Sequence, residues 1–387
     1  IPLKNKYILP YRLFGVPIGI KDIFNTEDMP TKFGSPIFKK FHAGNDARVI
    51  THLKREGALN GGKTVTAEFA VHNPGKTRNP FNLNLSPGTS SSGSAAAVAL
   101  NMVPISISSQ TAGSTIKPAS YCGIYGFKPS YGTLARTGML KTTDTLDNIG
   151  IMARSIEDLR LCFDVMRVRG PNYPLVYKNY IKKLDSNKKT YNFAHLTGYC
   201  DKYISKAANN NFNQFIDSLK QDKDFNIKTI KLPNDFSICH TLHETIYCKS
   251  LSYYFKEEWK NNQNKFSRIL SKMIIKGLNI SNTEYFEALN NQERLKKIFN
   301  KLIEQYDAFL CLSANDDAPE FKNIIDSPDY SLLYTMFYTP SISLPLLKGS
   351  KNLPLGVQIS SKKFSDYNLL NIADNIICKQ NTKLNGG

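Results

Sequence analysis

The sequence has no run of about eighteen apolar residues, the length a membrane-crossing helix needs. Its opening stretch, IPLKNKYILPYRL, also lacks the apolar core of a secretory leader. Both absences predict a cytoplasmic protein, and a start on Ile1 rather than Met fits a processed or truncated N-terminus. The seven cysteines (Cys122, Cys162, Cys200, Cys239, Cys248, Cys311 and Cys378) are odd in number, far apart and without a C-x-x-C pair, which excludes a disulfide framework and suits a reducing compartment. Acidic residues are few, 32 against 50 Lys and Arg, so the net charge is +18. Such an excess raises nucleic acid as a partner. Here it is mostly lysine scattered among asparagines, as in KEEWKNNQNKFSR, with no stripe of arginines and aromatics, and a nucleic-acid face is not expected.

What is present suits an enzyme. The 387 residues are 41% hydrophobic and 21% charged, enough for one large core. From about 10 to 150, short apolar runs alternate with helical patterns, as strands covered by helices would. LFGVPIGIKD reads as a strand, DARVITHLKREG as an amphipathic helix ended by Gly57, GTSSSGSAAAVALNM as a loop feeding an alanine-rich helix, and VPISISSQ as a buried strand. Residues 171–306 shift to Lys, Asn, Tyr and Phe with long helical periods, and DAFLCLSA, PSISLPLL and LPLGVQISS then return as strands. The expectation is a single domain over 1–387, with 171–306 a helical excursion that shapes the substrate pocket.

Several motifs fail on their surroundings. Residues 57–64, GALNGGKT, spell a P-loop, but a helix precedes them and the β-branched TVTAEFAV follows, whereas phosphate needs a strand before the loop and a helix opening after it. Ser114-Thr-Ile-Lys117 matches S-x-x-K without the S-D-N and K-T-G that such chemistry also requires. Cys239, His240, His243 and Cys248 lack the paired framing of a zinc site. G-x-S-x-G is absent, and none of the six histidines has a recognisable nucleophile to serve, so a serine nucleophile here needs another base.

Three segments carry what acyl transfer requires. Lys21 lies in GVPIGIKD among apolar neighbours, where burial would bring its pKa down from about 10.4 toward a value useful to a general base. Ser90 sits in the loop before the alanine helix. Ser114 closes the small-residue turn Thr111-Ala112-Gly113, whose consecutive N–H groups can converge on one point. Each residue alone has a bland explanation; their combination does not.

With these segments, PGTSSSGSAAAVALNMVPISISSQTAGSTIKPASYCGIYGFKPSYG and the blocks GVPIGIKD, GGKTVTAEFA, TLDNIGIMARSIEDL and PSISLPLLKGSKNLPLGVQI resemble, in order, the amidase signature family. The resemblance implies an α/β fold, a twisted mixed β-sheet sandwiched between helical layers. It implies Lys21 as general base, Ser90 as proton relay beside a cis peptide bond, Ser114 as nucleophile, and the N–H groups of Thr111, Ala112, Gly113 and Ser114 as the oxyanion hole. No cofactor or metal is implied. The partners expected are a small-molecule amide substrate and, as an option, a second copy in a homodimer. Thr89 stands where the family normally has Gly, Lys117 where it has Arg, and no counterpart of the family's N-terminal helical segment is read before Ile1. Two other readings stay open. One is the A component of the glutamyl-tRNA amidotransferase, which works with a partner, although the turn Gln110 to Ser114 is more similar to that of stand-alone amidases. The other is a catalytically impaired relative with a binding role.

Overall fold

Alternation of β-branched and small residues sets the strands. In Ile105–Gln110 the sequence ISISSQ places Ile105 and Ile107 on one face and Ser106 and Ser108 on the other, and all six residues are buried. The computed structural model describes residues 11–170, 190–323 and 327–385. Its strands are β1 (Pro17–Lys21), β2 (Leu59–Thr64), β3 (Ile105–Gln110), β4 (Tyr125–Lys128), β5 (Asn148–Ala153), β6 (Tyr191–Thr197), β7 (Phe225–Lys231), β8 (Ala308–Leu312), β9 (Ser341–Lys348) and β10 (Pro354–Ser360). They form one sheet in the order β2-β1-β3-β5-β4-β9-β10-β8-β6-β7. β1 runs parallel to both β2 and β3, and β6 parallel to β7 and β8. The five pairings between β3 and β8 are antiparallel, so the sheet is mixed as expected.

Helices cover both faces. Along β8, Ala308, Leu310 and Leu312 join a core with Leu369, Leu370 and Ile376, while Phe309 and Cys311 point into another with Phe299 and Tyr334. The first group packs against the C-terminal helix Asp366–Asn385, the second against Asn282–Ile303 and Tyr330–Met336. The stretch expected to be a helical layer also supplies β6 and β7, at the far edge of the sheet. Their sequences, YNFAHLT with its polar residues and the lysine-bearing FNIKTIK, hide strands that are paired only through long-range contacts. Part of that stretch, 171–189, lies outside the described residues. β2 differs too. The strand is LNGGKT itself, carrying the P-loop letters along the sheet edge, and the residues after Thr64 form no strand, only a short 3-10 turn at Glu68–Ala70. Pairing with β1 overrides local propensity there.

Small residues allow the closest approaches. The alanine-rich helix α2 (Ser92–Ala99) lies against β3, and a Cβ on its Gly93 would meet the Val65 nitrogen at 2.2 Å. In the helical layer, a Cβ on Gly277 would stand 1.9 Å from the Cys248 carbonyl oxygen, so helix Arg268–Asn279 touches the backbone of helix Cys239–Tyr254. Alanine ordinarily favours a helix over glycine by about 1 kcal/mol. At this contact the overlap outweighs that gain, and Gly277→Ala is expected to cost about 1–3 kcal/mol. Denaturant unfolding should show a lower midpoint at unchanged slope.

Candidate active site

The parallel strands β1 and β3 end at the same edge of the sheet, in the register Ile20 to Ile107. This brings the last residue of β1, Lys21, to the end of β3, beside the loop that enters α2. Lys21 is fully buried. Its Nζ lies 2.6 Å from Ser90 Oγ, 2.9 Å from Ser91 Oγ and 2.7 Å from Ser109 Oγ. Burial drives its pKa well below the ordinary value, and the charge of Asp147 opposes that fall in part. A neutral amine has two hydrogens and one lone pair. Three surrounding oxygens are therefore satisfied when one hydroxyl turns its own hydrogen toward the nitrogen. Ser91 is not that hydroxyl, because its hydrogen goes to the Ser109 carbonyl at 3.1 Å. Ser90 and Ser109 remain.

The peptide bond between Thr89 and Ser90 is cis. Gly88, at φ +87°, passes so near Pro118 that a Cβ would meet its Cα at 2.7 Å, which joins this loop to the one after β3.

The loop after β3 is tied at three successive carbonyls. The Thr111 carbonyl accepts from His243 Nε2 at 2.9 Å, that of Ala112 from Thr335 Oγ1 at 2.8 Å, and that of Gly113 from the Lys117 N–H at 2.9 Å. A carbonyl can only accept, so His243 carries a hydrogen on Nε2. In a trans peptide the N–H points opposite to the preceding C=O. Holding these three carbonyls therefore fixes the directions of the N–H groups of Ala112, Gly113 and Ser114. Those three donate to no partner among the described residues. The side chain of Thr111 donates to buried Asp147 at 2.7 Å, which also accepts from the N–H groups of Thr142 and Thr143. Gln110 closes the turn. Its Oε1 accepts from the Thr115 and Ile116 N–H groups at 2.9 and 3.0 Å, and its Nε2 donates to Thr335 Oγ1 at 3.1 Å.

Of the expected site residues, Lys21 and Ser90 are in direct contact. Ser114, half-buried, follows in the neighbouring loop, and its hydroxyl has no hydrogen-bond partner among the described residues. Beside Thr89 opens a cavity of about 170 Å³, also lined by Ser86, Lys117, Tyr121 and Phe321. Lys117 pairs there with Asp329 at 2.9 Å. Four further residues belong to the site: Ser91, Ser109 and Thr335, which the sequence does not single out for it, and His243, which the sequence groups only with a rejected zinc set. The polyserine runs carry a trace of the first two. Nothing local marks the others, which reach the loop from 132 and 223 positions away. Cys239 and Cys248 are buried, with thiols pushed up to about 12 by that burial, and no group of three or more metal-binding side chains occurs among the described residues.

The sequence model of the family named Amidase matches residues 5–370, and the chain belongs to that family. The A component of the glutamyl-tRNA(Gln) amidotransferase of Saccharolobus solfataricus is 30% identical over 94% of this chain and 83% of its own length. The solved structure of the same component from Thermotoga maritima superimposes with a TM-score of 0.78 at 27% identity, over 93% of this chain and 82% of its own. A 6-aminohexanoate cyclic dimer hydrolase shares the fold with a TM-score of 0.80 at 20% identity, over 94% of this chain and 84% of its own.

Gln110→Leu keeps the buried volume and removes both acceptor and donor, leaving two loop N–H groups unpaired. The expected cost is about 2–6 kcal/mol, from about 1–3 for each unsatisfied buried group. Gln110→Glu, which keeps the acceptor, should recover part of it in chemical denaturation.

Proposed function

We propose that this chain hydrolyses a carboxamide C–N bond through an acyl-enzyme on Ser114, with Ser90 as proton relay and Lys21 as general base. The observation that carries this reading is the fully buried Lys21 amine, 2.6 Å from Ser90 Oγ, beside a loop whose N–H groups stay unengaged. In the proposed sequence, neutral Lys21 takes the hydrogen of Ser90, and Ser90 takes that of Ser114 as its Oγ attacks the amide carbon. The carbonyl oxygen gains negative charge, and the N–H groups of Thr111, Ala112, Gly113 and Ser114 stabilise it. The C–N bond breaks as the proton returns through Ser90 to the leaving nitrogen. Water then attacks the ester by the same relay, giving the acid and free Ser114.

A second reading is favoured by the curated relatives: the A component of an amidotransferase, releasing ammonia from glutamine for a partner. Its chemistry at Ser114 would be identical, and the turn Gln110 to Ser114 inclines us to the stand-alone enzyme. Cys122, Cys162, Cys200, Cys239, Cys248 and Cys311 form no disulfide, which suits a reducing compartment such as the cytoplasm.

Labelling with a fluorophosphonate tests the nucleophile. Wild type should be labelled and Ser114→Ala not; equal labelling, or none in either, rejects an active serine at 114. A panel of amides, esters and glutamine, read by ammonia or amine release, then separates the two readings.

Lys21→Ala is expected to lower turnover by about 10²- to 10⁴-fold. The base works unprotonated, so wild-type activity should rise as pH increases through the depressed pKa of Lys21. Asp147 raises that pKa, so Asp147→Asn should move the acidic limb of the pH–rate profile to lower pH. A limb unmoved by Asp147→Asn would mean that another group sets it.

A further inference from the structure

A cleft outside the catalytic cavity gathers arginines that are far apart in sequence. Helix α1 (Arg48–Arg55) buries Val49, Ile50 and Leu53 and presents Arg48, His52 and Arg55, spaced i, i+4 and i+7, on one face. Opposite this face, the chain leaves helix Ile156–Met166 through Arg167 and Arg169. His52 Nδ1 donates to the Met166 carbonyl at 3.3 Å and fastens the two walls together. Between them lies a cavity of about 320 Å³ floored by Val165 and Val168, which shares no lining residue with the cavity beside Thr89.

The charges in this cleft are not balanced. Asp164 is the shared partner of three guanidiniums: Arg167 at 3.0 Å, Arg169 at 2.9 Å, and Arg12. Glu56, the one acid lining the cavity, accepts the Arg12 backbone N–H at 3.1 Å. Arg48 and Arg55 are exposed and have no ion pair or side-chain hydrogen bond among the described residues. Among the described residues, five guanidiniums thus face two carboxylates. Their field converges on His52: burial lowers its pKa, and the charges of Arg48, Arg55 and Arg169 lower it further, against the bond with Met166.

The residue type is also selective. Of the 50 basic residues only eleven are arginine, yet the lining contains four arginines and no lysine. Basic residues placed here without regard to shape would be mostly lysine. A guanidinium differs from an ammonium in offering a planar fork that binds two oxygens of one phosphoryl group. Two of the four are already held in orientation by Asp164, and Tyr367 bonds both Arg167 and Asp164. The remaining two stand unpaired across the cleft.

From this arrangement we propose that the cleft between α1 and the 165–169 segment binds the phosphoryl group of a small phosphorylated molecule, at a site separate from the hydrolytic one. The volume falls within the range of small-ligand pockets. The arginines converge on one cavity rather than following a path across the surface, which favours a compact anion over a nucleic-acid strand.

The full-length chain, titrated calorimetrically with inorganic pyrophosphate at low ionic strength, should show saturable one-to-one binding. Arg48→Ala/Arg55→Ala should bind at least about tenfold more weakly, a loss of about 1.4 kcal/mol, with an unchanged unfolding midpoint because neither side chain has a partner to lose. Arg48→Lys/Arg55→Lys, which keeps the charge and loses the fork, should also bind more weakly than wild type. Ser114→Ala should bind as wild type does. No saturable binding, or equal binding by wild type and the alanine pair, overturns the site. Wild-type affinity in the lysine pair overturns the phosphoryl assignment. Binding of single-stranded RNA that depends on Arg48 and Arg55, without binding of pyrophosphate, replaces the small ligand with a nucleic-acid surface.

Discussion

An amine with no access to water has to be surrounded by oxygen, and the first half of this chain is arranged around that requirement at Lys21. An isolated buried ammonium is among the most costly groups a fold can contain, and the usual outcome is loss of the charge. Here three serine hydroxyls approach the nitrogen from two chain segments. For both segments to reach it, the helix that follows Ser90 must lie almost on the backbone of its neighbours. This accounts for SGSAAAVA in α2, where Gly93 rests on Val65 and Ser94 bonds the Ile107 carbonyl. The small-residue composition of the region is thus a packing consequence of one buried amine.

The second half of the site depends on a different constraint, the rigidity of the peptide plane. N–H groups cannot be aimed directly, but each is opposed to a carbonyl that can be held. Thr111, Ala112 and Gly113 each have their carbonyl fixed, and two of the three donors, His243 and Thr335, come from the helical part of the chain. The helices that follow β5 in sequence therefore do more than cover the sheet. They set the orientation of a loop formed entirely in the first third of the chain. Asp147 links the two constraints, since it accepts from Thr111 and its charge acts on Lys21.

How much of this is legible in sequence follows from the same distinction. β1, β3, β8, β9 and β10 are short apolar or alternating runs, and their strands are readable as such. β6 and β7 are not, because β7, at the sheet edge, is polar and lysine-bearing and still paired, and β6 beside it mixes Asn192, His195 and Thr197 among its apolar residues. In β2, glycines follow the sheet edge in a run whose letters suggest a phosphate loop, since pairing with β1 decides the matter. At the site, Lys21, Ser90 and Ser114 stand out through their order and family blocks. His243 looks like one of a doubtful metal set, because its partner is a backbone atom 132 residues away and no side-chain pattern records a carbonyl. Contacts to backbone are the part of a site that sequence conceals best.

The charge of the chain follows a similar logic. A net charge of +18 attracts anions over the whole surface, but a field that falls off within about 10 Å in salt gives little discrimination among them. Discrimination needs donors of fixed geometry. Scattered lysines, each on a flexible stem and strongly hydrated, supply little of it. Arg167 and Arg169 are different, because a shared carboxylate restricts their rotamers before any ligand arrives. Asp164 thereby performs for these guanidiniums what His243 and Thr335 perform for the loop N–H groups. In both places, a donor is oriented by a partner bonded on its far side, before any ligand is present.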